Sequence, residues 1–446
     1  MRPIKFFKLN RILIIGLFLF FICIEGFSQH KNVQIGGSTR KHDPNETCVA
    51  INPANTQEMV VGANMNNFYY SNDGGLTWTH GTLTSSYGVY GDPCVVVDGQ
   101  GRFYYFHLPL PFREEGHIMT DRIVCQELLN KNSFEWSDGS SMGVGLEEMH
   151  DKEWAGINWR NNHLYCAWTA FDQYGSPDPK HRSDILFSRS IDGGVSWSNA
   201  LRINEESGDC LDDDGTVEGT VFAFGPNDEV YVCWEGPSGV IFDRSTDDGL
   251  TWLEEDLIVA DMPGGWDFDI PGIMRCSGFP SLACDLTSGP YHGTIYVSWT
   301  DQRNGEDNTD VWLCCSTDGG DTWTPPLLVN DDGRRRHQFF SWMTVDQVTG
   351  VIYIVFYDRR HYEDNRTDVF LAVSRDGGLS FRNHRINDMS FVPVEEIFFG
   401  DYIHIAAHND IIRPVWTRMD AEFNSIWTAL IDPKFLTDKK KGVISR

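Results

Sequence analysis

Apolar and polar residues alternate along most of this chain in short runs that stop at turn-forming residues, as in "TCVAINPAN", "PCVVVDGQG", "TVFAFGPND" and "MTVDQVTG". A period of two with β-branched and aromatic enrichment predicts strands, and helical periodicity is hard to find. A second apolar phrase follows each run: "FYYF" at 103, "YCAW" at 165, "YVCW" at 231, "YVSW" at 296, "YIVF" at 353 and "RPVW" at 413. The chain therefore divides into seven units, beginning near Glu46, Asp92, Glu153, Glu218, Ser277, Gln338 and Asp401, each predicted as strand, turn, strand, loop, strand, tight turn, strand. The seventh supplies three strands and no fourth, while a spare strand, "KNVQIGG", precedes the first unit. Radial repetition of four-stranded sheets predicts an all-β β-propeller, whose blades leave only short, protected edges. Seven blades are expected, six being the alternative, with the ring closed by lending the N-terminal strand to the last unit.

One phrase recurs between the third and fourth strands: "YYSNDGGLTW" (69–78), "SRSIDGGVSW" (188–197), "DRSTDDGLTW" (243–252), "CCSTDGGDTW" (314–323) and "AVSRDGGLSF" (372–381). Physically it is a locked hairpin turn. Gly tolerates positive φ, and Asp73, Asp192, Asp247, Asp318 and Asp376 can accept bonds from neighbouring backbone N–H groups. Trp78, Trp197, Trp252 and Trp323 can cover the turn with a large apolar ring, and Phe381 stands in for them in the sixth unit. Five copies in one chain read as scaffolding. The second unit carries only a degenerate version, "LLNKNSFEW".

The phrase resembles the Asp-box, or bacterial neuraminidase repeat, of the sialidase-like β-propellers, and the resemblance covers essentially the whole chain after the leader. It implies the fold strongly and the function weakly, because Asp-boxes occur in hydrolases, lyases and non-catalytic propellers alike. It also implies that the boxes lie at the periphery, away from any active site. Sialidases of this fold use three arginines around a substrate carboxylate, a tyrosine nucleophile with a glutamate partner, and an aspartate acid. Their Phe/Tyr-Arg-Ile-Pro motif is missing here; "STRKHDP" offers Arg40 near that point. The resemblance would make Tyr402 the nucleophile, Glu218 its partner and Asp43 the acid.

Composition narrows the setting. Basic residues Arg2, Lys5, Lys8 and Arg11 precede an apolar run from Ile12 to Ile24, the pattern of a signal peptide over 1–29 and of a secreted or periplasmic protein. The formal charge of −28 makes nucleic acid and anionic membranes poor partners. Most cysteines lie in strand-like runs and are expected as buried thiols; one disulfide among Cys210, Cys276 and Cys284 is an even alternative. Residues 30–435 form the expected single domain, followed by a basic tail, 436–446. A monomer is expected.

In a propeller, the loops leading into the innermost strands line one mouth of the central channel. Here they are rich in ionisable groups: "RKHDPNE" (Arg40, His42, Asp43, Glu46), "YGDP" (Tyr90, Asp92), "MHDKEW" (His150, Asp151, Glu153), "DDGTVEG" (Asp214, Glu218), "RRRHQFF" (Arg336, His337) and "FFGDY" (Asp401, Tyr402). Arg303, Arg360 and Arg418 follow second strands and are predicted to open onto the same face. Asp43, His150, Glu218, His337 and Tyr402 are the catalytic candidates, and Arg40, Arg303, Arg360 and Arg418 the substrate-binding ones, for an anionic poly- or oligosaccharide. The alternative for Arg303 and Arg360 is a structural pairing with Asp301 and Asp358. No cofactor or catalytic metal is expected; the Asp run 212–214 could hold structural calcium but reads better as a solvated loop. The chain thus reads as a carbohydrate-active enzyme, hydrolase or lyase, with a non-catalytic glycan- or protein-binding propeller as the alternative.

Overall fold

The computed structural model describes residues 30–37, 44–114, 117–145, 147–333 and 336–436. The leader, Arg40, His42, Asp43 and the tail beyond Leu436 lie outside the described residues. The rest is a seven-bladed propeller with no α-helix among the described residues. Blade 1 is Cys48–Ile51, Met59–Ala63, Asn67–Ser71 and Thr79–Thr82, and blade 2 is Cys94–Val97, Phe103–His107, Ile123–Asn130 and Glu135–Trp136. Blades 3 to 6 have innermost strands Met149–Asn158, Glu218–Phe224, Ser281–Cys284 and Gln338–Val345. Blade 7 is His404–His408, Ile411–Asp420 and Phe423–Leu430, with Lys31–Gly37 paired antiparallel outside them as the fourth strand. The N-terminal strand therefore closes the ring, supplying the fourth strand that the seventh unit lacks.

Alternation survives only at the blade edges. Middle strands such as Ile352–Asp358 and Asp368–Ser374 are buried at every residue, because both faces pack against neighbouring blades. Side chains also stitch the innermost strands together. The Val49 N–H donates to His404 Nδ1 (3.3 Å), Val95 N–H to Cys48 Sγ (3.2 Å), Ala155 N–H to Cys94 Sγ (3.3 Å) and Met343 N–H to Ser281 Oγ (3.1 Å). Four of the seven inner strands thus answer an unpaired edge N–H of the next blade, which gives two buried thiols a structural task. All ten cysteines of the described residues are free, so none of Cys210, Cys276 and Cys284 is bridged.

Each of the five boxes is a turn held by its own side-chain hydrogen bonds. In the first, Ser71 Oγ donates to Asp73 Oδ1 (2.9 Å), Gly75 N–H donates to Ser71 Oγ (2.9 Å), and the Thr77 hydroxyl donates to Asp73 Oδ2 (2.6 Å). The same set recurs around Asp192, Asp247, Asp318 and Asp376. The box rings do more than cover their own turns. Trp197 packs on Phe106, Trp252 on Phe187 and Trp323 on Phe242, each an aromatic of the preceding blade, so the box is also an inter-blade contact.

Candidate functional site

The innermost strands enter the channel through a shared bend. Ladder irregularities fall between Asp151 and Trp154, Glu218 and Val221, and Phe339 and Trp342. Within this bend Glu46, Asp92, Lys152 and Phe340 take left-handed φ values of 49°, 53°, 52° and 49°, a conformation that non-glycine residues adopt only under constraint. The bend turns successive side chains from the ladder toward the mouth. Asp151, Glu218 and Asp401 stand just before it, Glu46, Asp92, Lys152 and Tyr402 within it, and Trp154, Trp342 and His404 just after it.

A charged bridge crosses the mouth. Asp401 of blade 7 receives Lys152 Nζ from blade 3 (3.0 Å) and the Arg275 guanidinium through Nε (3.0 Å) and a second nitrogen. Arg275 also donates to Asp212 Oδ2 (2.9 Å), which accepts the Tyr174 hydroxyl (2.7 Å). Lys152 lies 3.8 Å from Glu46 and 5.0 Å from the ring centres of both Phe279 and Tyr402. Burial opposes ionisation of Asp401, but Arg275 and Lys152 outweigh it and hold that carboxyl far below its usual range. The Arg275 guanidinium is raised in turn, chiefly by Asp401.

Among the described residues, no cation is bonded to Asp151, Glu153 or Glu218, around the bridge. Burial, then Asp92 and Asp212, push Asp151 up to about 7. Glu153 and Glu218 are pushed well up by burial, reinforced by Asp92 and Asp212 respectively. Both Glu153 oxygens and Glu218 Oε2 are buried with no hydrogen-bond partner. Glu153, Asp92, Lys152 and Tyr402 border a cavity of about 20 Å³, large enough for a single water. Below it Trp154, Trp342 and His404 close the channel with ring centres 4.5–5.6 Å apart. Beyond that aromatic layer a wider channel of about 300 Å³ opens toward the opposite mouth, walled by strand edges from Val49 to His408. A second hollow, about 310 Å³, lies beside the charged mouth between Asp214, the Gly236–Gly239 turn, Asp261 and Trp266. Trp266 stacks on Phe279, which carries the Lys152 ammonium, so hollow and bridge share a wall.

The residues singled out from sequence fall into two groups. Glu218 and Tyr402 belong to this mouth; the Tyr402 hydroxyl donates to the Pro93 carbonyl (3.2 Å), and burial raises its phenol well above the usual value. His150 is fully buried, stacked on Trp168 at 5.6 Å, with both ring nitrogens unpartnered and its pKa lowered to about 4 by burial. His337 meets the Thr309 hydroxyl (3.2 Å), and burial, then Arg359, lowers it to about 4. Neither histidine touches the bridge. Arg303 and Arg360 take the structural alternative. Arg303 Nε donates to Asp301 (3.0 Å) with Trp312 beneath it at 4.7 Å, and Arg360 Nε donates to Asp358 (2.7 Å) with Phe370 at 4.3 Å. Arg418 is likewise held by Asp420 (3.0 Å) over Trp427. The expected arginine cradle for an anionic sugar is therefore not assembled from these three residues. In the Asp run, Asp212 is spent on Arg275 and Tyr174, and Asp214 Oδ1 accepts the Trp266 (2.8 Å) and Asp267 (2.9 Å) N–H groups. Among the described residues no cluster of His, Cys, Asp and Glu is arranged to hold a metal ion.

Sequence reasoning missed both bridging cations. Lys152 sat inside the quoted "MHDKEW" without notice, and Arg275 belongs to the irregular loop before blade 5, where no repeated phrase points to it.

The BNR/Asp-box repeat family matches residues 69–80. No curated protein matches the chain. Among solved structures, the chain is similar to a PL25 ulvan lyase (12% identity, 89% of this chain and 95% of that one, TM-score 0.49). It is also similar to the intramolecular trans-sialidase from Ruminococcus gnavus (13%, 91% and 98%, TM-score 0.45) and to YCF48 bound to D1 peptide (11%, 91% and 96%, TM-score 0.46). The chain is an Asp-box β-propeller that resembles the sialidase-like propellers.

Proposed function

We propose that the protein is a secreted carbohydrate-active enzyme whose site is the charged mouth, with Asp151 as the proton-transferring group. The observation that carries this reading is the contrast between Asp401 of blade 7 and Asp151 of blade 3, which meet at the same mouth on either side of Lys152. Asp401 is saturated by two cations and stays ionised, whereas Asp151 is partly open to solvent and carries its proton near neutrality. Carboxyls whose environments push their affinities for a proton apart are the usual basis of acid–base division of labour. Glu218, buried with a free oxygen, is the reserve proton carrier beside it. Tyr90 and Tyr174, 41% and 40% exposed, flank the mouth as surfaces on which sugar rings stack.

The test is turnover by purified protein on a panel of neutral, acidic and amino oligosaccharides, following new reducing ends, unsaturated uronates and released sialic acid together. Asp151→Asn should abolish turnover with the fold intact. No turnover on any substrate would sink the enzyme reading. A binding propeller is the second reading, favoured by the roughly 20 Å³ cavity beneath the bridge, which excludes a sugar ring and leaves only the space above it. Saturable binding without turnover would establish that alternative.

A further inference from the structure

On the side away from the charged bridge, the aromatic layer of Trp154, Trp342 and His404 closes one end of the central channel and leaves a blind pit. We propose that this pit is a binding site for a medium-chain fatty acid, with the alkyl chain inside the channel and the carboxylate at Arg160 on the rim. The site is separate from the charged mouth and stands or falls independently of the glycan reading.

Size and shape come first. The pit holds about 300 Å³. Its walls run along Trp154–Asn158 and His404–His408, four strand steps of about 3.3 Å, which makes it about 13 Å deep. Spread over that depth, the volume suits one extended chain.

The wall is drier than a ring of strand edges would otherwise be. Unpaired edge N–H groups call for a partner or for water. Here those of Val49, Val95, Ala155 and Met343 are taken by His404 Nδ1, Cys48 Sγ, Cys94 Sγ and Ser281 Oγ. Polar side chains of the wall are committed to the protein as well. Gln347 donates to the Cys284 carbonyl (2.8 Å) and accepts the Leu286 N–H (2.9 Å). Asn158 donates to Asp228 (2.9 Å) and accepts the Arg160 N–H (3.0 Å). Half-buried apolar groups, among them Val96, Phe222, Leu286 and Ala406, border the space, and covering them is favourable.

Charge supplies the orientation. The chain carries 64 Asp and Glu residues, yet among the described residues none borders the pit, and Arg160 is the one Lys or Arg that does. The Arg160 side chain is 54% exposed, with Nε 3.7 Å from the exposed Asp228. One of its terminal nitrogens donates to the Pro226 carbonyl and the other has no hydrogen bond. An exposed ion pair at that distance is weak, so the guanidinium can take a ligand carboxylate on the unused nitrogen. An alkylammonium would find no acid on the wall.

The test is calorimetry of the purified protein with hexanoate, decanoate and myristate, each below its micelle-forming concentration. Decanol and decylamine serve as the uncharged and cationic probes. Affinity is expected to rise about fourfold per methylene from hexanoate to decanoate, with one molecule per chain, and to level off at myristate, which outreaches the pit. Decanoate should bind several-fold more tightly than decanol, and decylamine more weakly than either. Arg160→Gln, at an exposed side chain, should weaken decanoate several-fold and leave decanol unchanged. Thr344→Phe places a ring in the pit from a half-buried wall position and should abolish binding of both. If that variant does not fold, the chain-length series and Arg160→Gln decide alone. Affinity that keeps rising through myristate, or binding unchanged in folded Thr344→Phe, puts the alkyl chain elsewhere and overturns the proposal. So does decylamine binding as tightly as decanoate, or the absence of saturable decanoate binding. None of these outcomes bears on the glycan reading, because the charged mouth is untouched.

Discussion

The rim and the centre of this propeller treat the same residue type in opposite ways. At the rim, Asp192, Asp247 and Asp318 accept the hydroxyls of Ser196, Thr251 and Thr322, four residues away, together with nearby N–H groups, and their carboxyls fall to about 2. At the mouth, the buried Glu153 and Glu218 and the half-buried Asp151 stand among other carboxyls and rise. Rim aspartates are therefore local, repeated and content when charged. Central acids are single-copy, satisfied if at all by partners far away in sequence, and strained when charged. A chain selected only for a stable ring has no use for the second arrangement, since buried unpaired carboxyls destabilise it. Their concentration at one mouth is what stability cannot explain.

The largest expected effect lies in the bridge. Lys152→Met leaves Glu46 without its cation and Asp401 with only the half-exposed Arg275, so unfolding in urea should show a loss of about 3 kcal/mol or more. Were that variant as stable as the parent, the bridge would be ornament, and the contrast between centre and rim would fail.

The pH dependence separates the two regions by sign. A rim aspartate binds its proton less tightly folded than unfolded, so its contribution is present above about pH 4 and disappears as pH falls toward 2. Asp151 binds its proton more tightly folded than unfolded, so it costs stability progressively between about pH 4 and 7 and fully above that range. Asp151→Asn should therefore raise the melting temperature at pH 8, by the equivalent of about 1–2 kcal/mol, and change little at pH 4. A variant with the same gain at both pH values would show that packing, not charge, is responsible.

A single rim substitution should do less. Asp247→Ala removes one turn lock of five, an exposed one, and is expected to cost about 1 kcal/mol in denaturant unfolding. A loss rivalling that of Lys152→Met would mean that one box governs the whole ring.

The same division explains what could be read in the chain. Strands, turns, blade count and the closing strand were legible because each repeat writes the same local message, and the spare strand "KNVQIGG" had only one vacancy to fill. The mouth was half legible: Glu46, Asp92, Asp151, Glu153, Glu218 and Asp401 all stood in loops the repeat places at one face. Its wiring was not, because Arg275 meets Asp401 across 126 residues and two intervening blades. Arginine roles misled for a related reason. Arg303 and Arg360 follow their aspartates by two residues, a spacing that only the bent strand end turns into a bond.

The smallest effect tests whether box rings act as packing or as hydrogen-bond donors. Trp252 packs edge-on against Phe187 at 4.9 Å, and its indole N–H has no partner. Trp197 packs more distantly on Phe106, at 5.7 Å, but donates to Ser140 Oγ at 2.8 Å. The sixth blade already uses Phe381 at this position, so phenylalanine suffices wherever the ring only fills space. Trp252→Phe should accordingly cost well under about 1 kcal/mol, and Trp197→Phe about 1 kcal/mol more, the worth of one hydrogen bond whose acceptor is left behind. Paired unfolding curves of the two variants decide it. If Trp252→Phe is the more damaging, the box rings hold the blades together through shape, and the hydrogen bond from Trp197 is incidental.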